Sequence, residues 1–90
     1  MHAISPGDVV RSHAGRDRES YFFVLDVVGG YALLADGKLR RVESPKRKNL
    51  RHIAFITDEE SKVRIKILRG EKLQNAEIRK ALAAMVGAAE

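Results

Sequence analysis

The chain has 90 residues, 44% of them hydrophobic, and contains no cysteine. That is one small domain with enough apolar material for a core, and it excludes a disulfide scaffold, a thiolate-held metal and a thiol nucleophile. Seventeen Lys and Arg stand against 12 Asp and Glu, a formal charge of +5, so a polyanion is the first partner to consider.

Gly7 to Ser12 reads as a first strand and His13 to Glu19 as a polar loop. Ser20 to Val28 is the longest expected strand. Strict alternation would put Tyr21, Phe23, Leu25 and Val27 on one face, and Phe22, Val24 and Val28 with Asp26 on the other. Gly29-Gly30 is a two-residue hairpin turn by composition, with Tyr31 to Ala35 running back. Asp36-Gly37 supplies a second turn into a short basic strand, Lys38 to Val42, and Pro45 marks Ser44 to Lys48 as a loop. Leu50 to Ile56 closes a set of five short strands. Joined mostly by tight turns, these suit a small barrel over residues 1–57.

Beyond it the pattern turns helical, and residues 58–90 read as an extension packed in the same compact unit. Thr57 and Glu60 match a helix start and Gly70 a stop. Between them Val63, Ile65 and Ile67 alternate as in a strand, while Val63 and Ile67 also lie one helical turn apart; helix is the preferred reading. Asn75 suits the cap of a second helix, Ala76 to Val86, whose Ile78, Leu82 and Met85 share one face. Packing against the barrel is preferred for that face over docking into a partner protein's groove. No run approaches the ~20 apolar residues of a membrane span and no signal peptide is visible, so a soluble cytoplasmic protein without a membrane partner is expected.

The basic excess is concentrated. Residues 38–52 hold seven Lys or Arg and a single acid, Glu43. A cluster of this kind suits phosphates better than general solubilisation, in which both signs are interspersed.

Pro6-Gly7-Asp8-Val9-Val10, followed after a short gap by Gly15-Arg16-Asp17, resembles the KOW motif. With Tyr31, Asp36-Gly37-Lys38, Arg40 and Pro45-Lys46-Arg47-Lys48-Asn49-Leu50-Arg51-His52-Ile53, the chain is similar to the bacterial KOW-domain RNA-binding proteins. Those are related to the fourteen-e, six-e and twenty-seven-e group of archaeal and eukaryotic large-subunit ribosomal proteins. The resemblance covers about Gly7 to Ile56, and Asn75 to Leu82 is also similar to the helical end of the bacterial members. It implies an SH3-like barrel that binds RNA through loops and basic strand faces, without catalysis. Arg18-Glu19-Ser20 departs from it where relatives often have a glycine, so Gly15 and Arg16 are carried over ahead of Arg18.

The resulting fold class is mainly β, a five-stranded SH3-like barrel with one or two short C-terminal helices. Its expected function is a non-catalytic RNA-binding module, ribosome- or translation-associated, with ribosomal RNA as one candidate. Arg16, Lys38, Arg40, Lys46, Arg47, Lys48 and Arg51 are the expected phosphate contacts, with Asn49 and His52 as hydrogen-bonding or loop-orienting groups and Gly15 as a structural loop glycine. Arg41 falls on the opposite side to Lys38 if that segment is a strand. The five aromatics are assigned mainly to the core, which leads to an expectation of shape and backbone recognition over base reading. Histidines 2, 13 and 52 have no metal-ligand spacing, Ser12-His13 is poor geometry for a nucleophile and its base, and no cofactor motif appears. The competing class is a protein–protein adaptor on a transcription or translation factor, with the basic stretch meeting an acidic partner.

Overall fold

The computed structural model describes residues 3–13 and 20–86. Its strands are β1 (Val9–Ser12), β2 (Tyr21–Val28), β3 (Tyr31–Ala35), β4 (Lys46–Asn49) and β5 (Ile53–Thr57), followed by helices α1 (Lys62–Arg69) and α2 (Asn75–Met85). All strand pairs are antiparallel, in the order β4-β3-β2-β1-β5. β1 thus sits between β2 and β5, an SH3-like arrangement. β4 and β5 form the two edges and share no ladder, so the sheet curls without closing.

The sheet is apolar on both faces, and each face has its own core. Val9, Phe23 and Ala35 lie in register across β1, β2 and β3, and they pack with Val63 of α1 and Ile78 and Leu82 of α2. On the other face Val10, Phe22, Val24, Ala32, Leu34 and Ile53 fill the concave side, with Ile4, Val27 and Leu50 around them. Helices cover one face and the curled sheet encloses the other, so continuous apolar runs such as Tyr21 to Leu25 are needed where a one-faced sheet would alternate.

Several expectations are corrected. A β-bulge between Val24 and Asp26 leaves Leu25 without a partner on β3, because Val24 pairs Leu34 and Asp26 pairs Leu33. One extra residue shifts the phase of everything after it. Val27 therefore joins Phe22 and Val24 in the concave core, and Val28 moves to the opposite face. The expected strand Lys38 to Val42 does not form. Asp36 gathers the chain into a loop, its Oδ1 accepting from the backbone N–H groups of Lys38 (2.9 Å) and Arg40 (2.8 Å). The strand lies instead at Lys46–Asn49, within the expected loop: Pro45 stands just ahead of an edge strand, where its missing N–H breaks no ladder. Leu50–His52 forms a 3₁₀ turn and only Ile53 onward is strand.

α1 is a helix, and it buries Val63 and packs Ile67 while Ile65 stays exposed, so the helical spacing wins over the alternation. Its N-cap is Ser61, whose Oγ accepts from the Arg64 N–H at 3.1 Å; Thr57 instead accepts from Glu59. Gly70 ends it in the left-handed conformation, as expected. At α2 the N-cap is Gln74, with the Glu77 carboxylate accepting the Gln74 N–H at 2.8 Å. Asn75 instead reaches across to the preceding loop. Its Oδ1 accepts from Val42 N–H (2.9 Å) and its Nδ2 donates to Glu43 (2.6 Å), which clips the 36–43 loop to the helix start.

The residues of the Gly7-Asp8-Val9-Val10 motif serve packing. Val9 feeds one core and Val10 the other. Asp8 is buried and pairs with Arg64 of α1 at 3.3 Å, tying the first strand to the first helix. The stripe Ile78, Leu82 and Met85 packs on the sheet residues Val9, Phe23 and Ala35. Among the described residues no helix is long and apolar enough to cross a membrane.

Candidate nucleic-acid interface

The basic residues of 38–52 run along β4, which is an edge strand. Lys38, Arg40 and Arg41 belong to the loop before it, and Arg51 and His52 to the 3₁₀ turn after it. Side chains alternate along the strand. Lys46 and Lys48 lie opposite Leu34 and Ala32, on the side of the concave core, whereas Arg47 and Asn49 lie opposite Leu33 and Tyr31 on the other side.

This alternation divides the expected contacts. Lys38, Arg47, Arg51 and His52 are exposed. Lys48 is only 8% exposed and lies opposite Ala32, on the side of the concave core. Lys46 and Arg40 are half-buried. Arg41, set aside on the premise of a strand, is exposed in the loop and joins the set. Asn49 is a loop-orienting group, since its Oδ1 accepts from the Arg51 N–H at 2.9 Å and caps the 3₁₀ turn. The His52 carbonyl accepts from His13 N–H at 3.0 Å and fastens that turn to the end of β1. Gly15 and Arg16 lie outside the described residues.

Gly37 shapes the loop end of the strip. It adopts φ +76° and is buried against the start of α2, where Arg79 Nη1 donates to its carbonyl at 2.6 Å. Lys38 is thereby held beside a backbone anchored at both Asp36 and Arg79.

One of the aromatics assigned mainly to the core, and the first among them for an exposed stacking role, stands at the surface. Phe22 and Phe23 are fully buried and Tyr21 packs on the helical core, but Tyr31 is 38% exposed at the start of β3. The Arg47 guanidinium lies over its ring, 4.1 Å from the centroid. Val28, paired with Tyr31 across the hairpin, and Leu33, paired with Arg47, complete a shallow pocket of about 330 Å³. Two signals in the sequence bear on it: the Gly29-Gly30 turn sets Val28 opposite Tyr31, and period two sets Leu33 beside it. The position of β4, which brings in Arg47, is what the local pattern lacks.

Among the described residues, no three His, Cys, Asp or Glu side chains gather as metal ligands would. Comparison of the chain with protein-family models and with curated proteins returns no match.

Proposed function

We propose that this protein is a non-catalytic RNA-binding module that holds phosphates along the β4 edge. The observation that carries the reading is the strip itself: exposed Lys38, Arg41, Arg47, Arg51 and His52 follow one edge of the sheet from loop to 3₁₀ turn. A charged edge strand also guards against edge-to-edge aggregation. That role accounts for charges on β4, but it asks nothing of the residues beyond either end of the strand, and it gives no reason for a guanidinium stacked on an exposed tyrosine. The resemblance to KOW-domain proteins supports the same reading and makes ribosomal or other translation-associated RNA the first to try.

The test is fluorescence anisotropy with labelled RNA over a salt series, comparing wild type with the triple variant Lys38→Gln, Arg47→Gln and Arg51→Gln. All three side chains are exposed, so the fold is retained. Each lost contact on single-stranded RNA removes about 0.7 from the log–log salt slope, so a drop of about 2 is expected. Absence of binding by wild type at low salt, or an unchanged slope in a folded triple variant, overturns the assignment and leaves the adaptor class in its place.

A further inference from the structure

We infer that the Tyr31 pocket receives an unpaired nucleobase, so that the RNA held along β4 is single-stranded there. The inference rests on the RNA-binding reading above and names the form of RNA that this site takes.

Three strands build the pocket on one face. β2 contributes Val28, β3 contributes Tyr31 and Leu33, and β4 contributes Arg47. Val28 is 59% exposed, a large apolar side chain left in solvent on a domain that buries Phe22, Phe23 and Leu34 completely. An aromatic ring and a guanidinium plane are the two side-chain surfaces on which unpaired bases stack, and here the guanidinium lies over the ring. Apolar Val28 and Leu33 flank them, and the volume of about 330 Å³ is at the small end of ligand sites, which run from about 300 Å³. Those dimensions suit one planar ring. Charge selects among flat ligands: Arg47 of the basic strip is itself a wall of the pocket, Asn49 lies opposite Tyr31, and Arg51 follows two residues on in the chain. A base entering it has its own phosphates beside Arg47 and Arg51.

A base within a duplex is stacked and paired on all sides, so it cannot enter a pocket between side chains. Stacking on a ring tolerates any base because every base has a π-face. The site therefore supplies affinity for single strands without sequence reading, which reconciles it with the scarcity of exposed aromatics elsewhere.

The test uses three labelled RNA probes of equal length: a decauridylate, the same backbone without bases, and a duplex. Wild type should bind the decauridylate well above the abasic strand and the duplex. Tyr31→Ala should weaken decauridylate binding by about 5- to 150-fold, the range expected of one stacked base, with abasic binding and salt slope unchanged. Tyr31→Phe keeps the ring and should stay within about twofold of wild type; should the alanine variant prove unstable, the wild-type preference for decauridylate over the abasic strand decides the matter. Equal wild-type affinity for decauridylate and abasic strand, equal affinity for the duplex, or no loss in Tyr31→Ala each overturns the inference while phosphate binding stands. Failure of wild type to bind any probe at low salt overturns both readings.

Discussion

At the scale of single residues, two positions separate conformational from chemical demands. Gly37 combines φ +76° with close approach to a helix: a β-carbon added there would meet the Asn75 carbonyl oxygen and lie 3.1 Å from Arg79 Cγ. Gly29 also has positive φ, at +60°, but its added β-carbon would meet open space. Gly29→Ala should thus cost only the left-handed conformation, about 1–2 kcal/mol. Gly37→Ala adds a backbone collision and should cost about 3 kcal/mol, at the upper end of ordinary single-site effects. Urea unfolding of the two variants checks this, and equal losses would show that the loop does not depend on contact with α2. Lys48 makes the complementary case. Because it is buried on the side of the concave core, Lys48→Ala should lower stability by about 1–3 kcal/mol and leave the RNA salt slope at its wild-type value. Arg51→Gln, at an exposed position, should do the reverse. A slope that falls with Lys48→Ala would place Lys48 at the interface after all.

At the scale of elements, α1 and α2 are joined by one carboxylate. Glu77 accepts from Lys66 Nζ at 2.9 Å and from the Gln74 backbone N–H at 2.8 Å, so it bridges the helices and caps the second one. The Lys66 hydrogen bond first, and the Gln74 N–H next, hold its carboxyl below the ordinary value of 4.5. A carboxylate with a depressed pKa in the fold contributes stability at pH values above its unfolded pKa, and that contribution is lost as pH falls through the folded pKa. Between about pH 6 and about pH 2, thermal melts of wild type should therefore decline more steeply than those of Glu77→Gln, which is already without the charge. Parallel profiles would mean that the bridge is too solvated to matter. These helix contacts also show where a sequence stops being legible. β2 and β3 could be read because local signals agree: alternation, β-branched and aromatic residues, and a Gly-Gly turn of fixed length. β4 could not, since Pro45 and a run of cations argue against a strand and only pairing with β3 creates one. The bulge at Leu25 was hidden for another reason, as an apolar residue fits either face of a sheet buried on both. Ser61 and Thr57 are equally good caps by type, and the choice between them depends on where Val63 meets the sheet. The candidate interface was legible as a charge cluster along the chain. Its division between two faces, and the exposure of Tyr31, follow from a register that no local pattern specifies.

At the scale of the molecule, one sheet supports two cores and neither is complete without the other. Phe22 and Phe23 are adjacent in β2, both fully buried, and they point into opposite cores, so a shift of that strand would disturb both together. The helices supply half of one core: Val63, Ile78 and Leu82 cover Val9, Phe23 and Ala35. Detaching α2 would leave those sheet residues in water, which makes independent melting of the helices unfavourable. Ile78→Ala tests the coupling at its centre, because Ile78 is fully buried and lies far along the chain from the strands. It should cost about 2–5 kcal/mol through lost burial and an unfilled cavity. The loss should appear as one displaced transition, identical by far-ultraviolet dichroism and by the methyl resonances of concave-core residues such as Val10 and Ile53. The β4 strip lies on the sheet edge and outside this core, so the variant should keep wild-type RNA affinity at temperatures where it is folded. A helical transition that precedes loss of the concave core would instead define α2 as a separable element, and the sheet would then have to hold together on the second core alone.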